Sequence, residues 1–219
     1  RQAEQAIITT IQRHFPQHAD HGEETGQTGQ SEFLWLVDPI DGTKNFIDGI
    51  PLWGTLIALA HQGEVIVGLS DMPMIEETVW AVKGQGAYLN NQPVHVSDRS
   101  SVSDAMVSFG SLNPFRELGR EKGLLHMLHD SRRHRAFGDC WPFHLLASGQ
   151  LDIVVEALIK QVDVACFDII TREAGGLLSN LDGRPFSRDI SHVLATNGLV
   201  HEQVLGYLEP TRPSDDPQT

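Results

Sequence analysis

Apolar positions follow a helical spacing at the start of the chain and a strand-like spacing after it. Ala3, Ile7 and Ile11 lie four positions apart, which predicts an amphipathic helix over residues 2–15. The apolar runs that come next are short, and Gly, Asn and Pro separate them, which predicts extended strands. These runs cover residues 33–37, 55–60, 65–69 and 78–82.

Turn residues indicate how these strands connect. Hairpin turns are predicted at Gln62-Gly63 and Asn90-Asn91, so the strands should form an antiparallel meander. Lys83-Gly84-Gln85-Gly86 resembles part of a glycine-rich nucleotide loop but lacks the third glycine, and we interpret it as another hairpin turn.

The pattern changes near residue 100. Candidate strands and helices then alternate, as is typical of an α/β layer. They cover residues 105–108, 140–148, 151–155 and 163–174. The sequence thus predicts an α+β lobe over residues 1–100 and an α/β lobe over residues 101–208. Residues 209–219 hold three prolines and no apolar face, which predicts a disordered tail.

Composition excludes several classes of partner. The chain has 219 residues with 16 basic and 29 acidic side chains, a net charge of −13, which disfavours nucleic acid and anionic membranes. No apolar run approaches the roughly 20 residues of a membrane span. The two cysteines, Cys140 and Cys166, cannot form a disulfide framework, so we expect a reducing, cytoplasmic location. Cys140 is interpreted as a packed small residue.

Two aspartates with a defined spacing follow the first predicted strand, in Asp38-Pro39-Ile40-Asp41-Gly42-Thr43. Pro39 is expected to end the strand, so that both carboxylates leave the sheet at one point. Two such carboxylates would repel each other unless a cation lies between them, and a hard divalent metal fits oxygen ligands. A plain turn, which also favours Asp, Pro and Gly, remains an alternative at this stage.

Two other acidic positions strengthen the metal hypothesis. Glu23 follows a glycine in Gly22-Glu23-Glu24, a few residues after the first helix. Asp163 opens an apolar-periodic stretch that closes at Gly175, which predicts an acid in the first turn of a helix with a glycine stop.

These motifs together resemble those of the inositol monophosphatase superfamily of metal-dependent phosphatases. The three blocks occur in the family's order and span about residues 1–208; they are Gly22-Glu23-Glu24, residues 35–46, and residues 163–176. The resemblance implies a layered αβαβα sandwich of the α+β / α/β type, here without the family's first helix and the acidic motif before residue 1. Residues 51–59 and 138–141 resemble the histidinol-phosphate phosphatase branch.

The resemblance also implies a set of site residues. The metal ligands would be Glu23, Asp38, the carbonyl of Ile40, Asp41 and Asp163, and they would hold two or three Mg²⁺ ions. The catalytic group would be Glu23, Thr43 and Asp41, in which Thr43 and Glu23 orient and deprotonate a water. Backbone N–H groups of Gly42 and Thr43 would bind the phosphate.

Two acids further along the chain are candidates for substrate binding. Glu156 ends a predicted strand, and Asp139 stands where the histidinol branch has an acid. Two carboxylates would complement the ammonium and imidazole of histidinol, whereas neutral inositol would not need both. Asp139 could instead cap a helix, and the two roles are compatible.

The expected partner is therefore a small phosphate ester, with the chain as a homodimer by resemblance. Histidinol phosphate of histidine biosynthesis is the preferred substrate; inositol 1-phosphate and a 3′(2′),5′-bisphosphate nucleotide are alternatives. A different class of hypothesis is a phosphate or metal binder without turnover. A phospho-aspartyl route, as in haloacid-dehalogenase enzymes, is disfavoured because Pro39 and Ile40 separate the aspartates where that class has one residue.

Overall fold

Residues 1–210 are described by the structure, a computed structural model, and they form two β-sheets with helices between and around them. The strands are β1 (Ala19–Gly22), β2 (Gly26–Thr28), β3 (Phe33–Asp41), β4 (Gly54–His61), β5 (Glu64–Met72), β6 (Glu77–Val82), β7 (Ala87–Leu89), β8 (Gln92–Val94), β9 (Met106–Phe109), β10 (Arg133–Arg135), β11 (Ile153–Ala157), β12 (Leu177–Ser179) and β13 (His192–Thr196). The α-helices are α1 (Gln2–His14), α2 (Thr43–Asp48), α3 (Asn113–Glu117), α4 (Glu121–Asp130), α5 (Trp141–Ala147), α6 (Gln161–Glu173) and α7 (His201–Tyr207).

The first sheet has eight strands in the order β2-β1-β3-β4-β5-β6-β7-β8. From β3 to β8 every neighbouring pair is antiparallel, which confirms the predicted meander and its hairpin turns. The parallel pairing of β1 with β3 was not predicted, because it joins segments that no hairpin connects.

Strand β3 is longer than predicted. It continues through Pro39 to Asp41, so the expectation that Pro39 ends the strand is wrong. The pairing with β4 shifts register between Asp38 and Asp41, and such a bulge removes the need for a ladder N–H at Pro39. The hydroxyl of Thr55 donates to the carbonyl of Pro39 at 2.9 Å and holds the bulge against β4.

The second sheet has five strands in the order β10-β9-β11-β13-β12. Strand β9 is parallel to both of its neighbours, β10 and β11, and β13 is antiparallel to both β11 and β12. The predicted alternation of strands and helices after residue 100 is present, but three strands, β10, β12 and β13, and three helices, α3, α4 and α7, were not predicted.

Five layers result from the packing of helices on these sheets. One core joins Leu56 of the first sheet, Phe167 of α6 and Val154 of the second sheet, so α5 and α6 lie between the sheets. A second core joins Val107 of β9 to α3, α4 and α7 on the far side, and α1 packs on β1 and β3. This αβαβα arrangement confirms the predicted fold class.

Helix α6 approaches the first sheet very closely. A Cβ atom at Gly68 of β5 would lie 2.4 Å from the carbonyl oxygen of Cys166, so only glycine fits there. Phe143 of α5 stacks on Phe167 with 4.1 Å between ring centroids. These two contacts hold α6 against β5 and α5.

The boundary predicted at residue 100 falls between the strands of the first sheet and those of the second. One hydrophobic core joins both sheets, so the division into two lobes stays a proposal. Within residues 1–210 no helix is both long and apolar enough to cross a bilayer. The predicted tail lies, from residue 211 onward, outside the described residues.

Candidate metal and phosphate site

Three elements bring the predicted acids together. The parallel pairing of β1 with β3 aligns Gly22 with Val37, so the residues that follow, Glu23 and Asp38, are neighbours. The N–H of Glu23 donates to the carbonyl of Val37 at 3.1 Å. Asp163 lies in the first turn of α6, where its carboxylate accepts the N–H of Lys160 at 2.8 Å.

The acids raise one another's pKa values. Burial is the first cause of the raised pKa of Asp38, and the charges of Glu23 and Asp163 add to it. Burial likewise raises the pKa of Asp41, with the charge of Asp38 as the next cause. The pKa of Asp163 is raised mainly by burial too. Such a cluster favours either protons or a cation.

Two observations bear on whether a metal fits. Oxygen Oδ2 of Asp41 is buried without a hydrogen-bond partner among the described residues, and all the side-chain donors are carboxylates, which suits a hard cation. However, in residues 1–210 no three acidic, His or Cys side chains converge closely enough to enclose one ion. Enclosing an ion therefore requires these side chains to rotate.

Lys160 is a functional candidate that the sequence analysis missed. Its Nζ donates to Oε1 of Glu23 at 2.9 Å, and this hydrogen bond is the main cause of its raised pKa. The only sequence signal is its place three residues before Asp163. The contact spans 137 positions, so local patterns could not reveal it.

The turn between β3 and α2 carries Gly42 and Thr43, the residues predicted to bind phosphate. Gly42 has φ 78°, and a Cβ atom there would lie 3.0 Å from the carbonyl oxygen of Leu52. The hydroxyl of Thr43 donates to the carbonyl of Ile40 at 3.0 Å, and the N–H of Ile40 donates to Asp38 at 2.9 Å. Since a carbonyl oxygen has two lone pairs, Ile40 retains one for another partner.

Asp139 is held in place just before α5. Nδ2 of Asn45 donates to Asp139 at 2.9 Å and to the carbonyl of Leu52 at 2.7 Å, which ties α2 to the start of α5. The helix-cap alternative for Asp139 is wrong, because Cys140 occupies the N-cap position and no side chain caps the helix. Asp139 instead has φ 53°, an uncommon conformation for a residue other than glycine.

Glu156 lies within β11, one residue before its end. Its Oε1 is buried and has no hydrogen-bond partner among the described residues. Burial, with the charge of Asp139 as a second cause, raises its pKa to about 8. A Cβ atom at Gly110 would lie 2.2 Å from Oε2 of Glu156, so glycine makes room for this carboxyl group.

A cavity of about 550 Å³ joins these groups. We call it the site cavity, and the side chains that matter here are those of Asp41, Thr43, Lys44, Asp139, Glu156 and Asp163. Glu23 and Asp38 lie beside it. Cys140 is buried, and burial raises the pKa of its thiol, which agrees with a packing role.

The five-layer fold, with its acidic cluster beside a cavity, agrees with what the family and the homologues show, that the chain is an enzyme of the phosphatase class. The model of the inositol monophosphatase family matches residues 1–211, and the chain belongs to this family. Enzymes of the family are generally metal-dependent.

Named relatives and a solved structure support the assignment. The chain is 40% identical to the histidinol-phosphatase of Streptomyces coelicolor, over 94% of this chain and 80% of that protein. It is 38% identical to the histidinol-phosphatase of Mycobacterium tuberculosis, over 95% of this chain and 82% of that protein. The inositol monophosphatase of Anabaena superposes with a TM-score of 0.88 at 31% identity, covering 97% of this chain and 88% of that one.

Proposed function

We propose that the chain hydrolyses histidinol phosphate to histidinol, a step of histidine biosynthesis, in a Mg²⁺-dependent reaction. The observation that carries the proposal is the pair of acids, Asp139 and the half-buried Glu156, that line the site cavity beside the acidic cluster. The identity of about 40% to histidinol-phosphatases supports it.

Glu23, Asp38, Asp41, Asp163 and the carbonyl of Ile40 would hold the metal. All are oxygen donors, which favours Mg²⁺ over softer metals, and their number suits two or three ions. Bound Mg²⁺ would supply positive charge against the phosphoryl oxygens and make an attacking water more acidic.

The protein's own groups would position the reactants. The hydroxyl of Thr43 and the carboxylate of Glu23 would orient the attacking water, and Glu23 would accept its proton. Lys160, hydrogen-bonded to Glu23, would keep that carboxylate in place. Backbone N–H groups of Gly42 and Thr43 would donate to the phosphate, and Asp41 and Thr43 both line the cavity.

The two acidic side chains of the cavity favour a cationic substrate. Burial holds Glu156 largely protonated at neutral pH, and Asp139 also has a raised pKa, chiefly from burial. An ammonium or imidazolium group would stabilise the ionised form of both acids. Inositol offers hydroxyl groups only, and would not stabilise the ionised form of these acids in the same way.

The substrate assignment is tested by Asp139→Asn, which keeps the shape and removes the charge. Since a hydrogen bond to a charged group contributes about 1.5–3 kcal/mol, we expect kcat/KM for histidinol phosphate to fall about tenfold or more. Release of phosphate from inositol 1-phosphate and the affinity for Mg²⁺ should change much less. The exposed Asp189→Asn is the control. Equal loss on both substrates would count against the proposal.

The Anabaena relative keeps inositol 1-phosphate as the second candidate substrate. A 3′(2′),5′-bisphosphate nucleotide and binding without turnover remain weaker alternatives, since the full set of predicted acids argues for catalysis. We also propose a homodimer and a cytoplasmic location.

A further inference from the structure

A buried carboxylate on α1 lies outside the acids considered so far. The side chain of Glu4, in the first turn of this helix, has no exposed surface. A carboxylate at such a position is stable only when hydrogen bonds or a cation replace the lost water. Glu4 accepts two hydrogen bonds, and both come from the backbone next to Glu23.

Both oxygens of Glu4 accept backbone N–H groups of the loop between β1 and β2. Oε2 accepts the N–H of Glu24 at 3.0 Å, and Oε1 accepts the N–H of Thr25 at 3.1 Å. These two donors directly follow Glu23. The carboxylate therefore fixes the loop at the position of a proposed metal ligand.

The residue before Glu23 is adapted to the same contact. A Cβ atom at Gly22 would lie 2.5 Å from the carboxyl carbon of Glu4, so a side chain there would displace the carboxylate. The N–H of Glu23 itself bonds to Val37 of β3. The backbone around Glu23 is thus held at three N–H groups: that of Glu23 by β3, and those of the next two residues by Glu4.

We propose that Glu4 is a positioning residue that orients Glu23 for the divalent cation; this inference rests on the metal site proposed above. Groups that orient a metal ligand change metal affinity about 10–100-fold when they are replaced. The alternative is that Glu4 only anchors α1. That role would change the free energy of unfolding and leave metal affinity unaltered.

The test uses Glu4→Gln in the full chain. The amide keeps one acceptor oxygen but turns its NH₂ group toward the second N–H, so one hydrogen bond is lost and two donors face each other. Mn²⁺ is the probe, because it shares the oxygen ligands of Mg²⁺, and its free concentration is measured by electron paramagnetic resonance. We expect the Mn²⁺ dissociation constant to rise about 10–100-fold.

Ile8→Ala is the matched control. Ile8 is buried on the same helix, and its truncation should lower the urea midpoint of unfolding through lost packing. We expect its Mn²⁺ dissociation constant to stay within about twofold of the wild-type value. Urea unfolding with a chelator present gives the stability of each variant. Glu4→Asp, which keeps both oxygens on a shorter chain, should show a smaller rise and serves if Glu4→Gln does not fold.

The outcomes separate the two proposals. If the wild-type protein binds no Mn²⁺, the result contradicts both the proposed metal site and the proposed role of Glu4. If the wild type binds Mn²⁺ and the Glu4 variants bind it equally well, only the role of Glu4 falls. An equal loss of affinity in Ile8→Ala would assign the effect to lost stability and would also overturn it.

Discussion

At the scale of single residues, the acids of the proposed metal site destabilise the metal-free fold. Asp38 is buried and Asp41 and Asp163 are half-buried, and burial with repulsion from neighbouring acids raises the pKa values of all three. Clusters of this kind are characteristic of functional sites, where strongly perturbed groups concentrate.

Replacing one acid of the cluster should therefore change stability and activity in opposite directions. In Asp38→Asn we expect the metal-free protein to gain about 1–2 kcal/mol in free energy of unfolding, since one repulsive charge is removed. Activity should fall at least about 100-fold because a proposed ligand is lost. Urea unfolding in a chelator and phosphate release measure the two effects. Asp189→Asn, an exposed acid, should change neither; loss of stability together with activity in Asp38→Asn would contradict the account.

Glu156 gives a prediction about pH. Its pKa is about 8 in the folded protein against an ordinary value of 4.5, so the folded state keeps a proton that the unfolded chain loses. Stability from this group is present below pH 4.5 and falls as the pH rises to about 8. In Glu156→Gln this loss disappears. The difference in unfolding free energy between variant and wild type should grow over that range, by at most about 5 kcal/mol at 1.4 kcal/mol per pKa unit.

The measurement is urea unfolding at a series of pH values in the presence of a chelator. Glu117→Gln, at an exposed position on α3, is the control and should show no such trend. A difference for Glu156→Gln that does not change between pH 5 and pH 8 would show that Glu156 ionises normally.

At the scale of secondary-structure elements, the turn from β3 into α2 determines the shape of the proposed phosphate loop. Gly42 and Gly49 flank α2, and both have a positive φ, of 78° and 73°. A side chain at Gly42 would crowd Leu52, whereas nothing lies within 4 Å of a Cβ atom at Gly49. An alanine would therefore meet similar backbone strain at the two positions but different surroundings.

We expect Gly49→Ala to lower the free energy of unfolding by about 1–2 kcal/mol, the strain of the left-handed conformation, and to leave activity nearly unchanged. Gly42→Ala should lower the free energy of unfolding more than Gly49→Ala does. It should also lose activity, because the loop must move away from Leu52. Urea unfolding and phosphate release check both variants. Equal effects of the two substitutions would argue against a demanding geometry at Gly42.

The elements that could be predicted are those with local signals. Helix α6 was predicted because Asp163 marks its first turn and Gly175, with φ 91°, ends it. The course of β3 through Pro39 was not, because a bulge paired with β4 accommodates the proline, and pairing is a tertiary effect. In the same way, the contacts of Lys160 and Glu4 near Glu23 join distant segments, and no local pattern shows them.

At the scale of the whole molecule, the site lies where both sheets and the helices between them meet. β3 supplies Asp38 and Asp41, β11 supplies Glu156, and α6 supplies Asp163. The binding of a cation to the folded state alone should therefore stabilise the entire chain.

Mg²⁺ at 100 times its dissociation constant should add about 2.7 kcal/mol per site to the free energy of unfolding. For a chain of this size we expect a rise in the melting temperature of about 5–10 °C, measured by calorimetry against a chelator. Asp38→Asn should show little or no rise. An equal rise in both proteins would indicate that Mg²⁺ binds elsewhere.

The most direct test of the account is phosphate release from histidinol phosphate and inositol 1-phosphate, measured side by side with Mg²⁺ and again with a chelator. The account predicts a higher kcat/KM for histidinol phosphate, loss of release on chelation, and recovery when Mg²⁺ is restored. Release that persists in the chelator, or a preference for inositol 1-phosphate, would contradict the account.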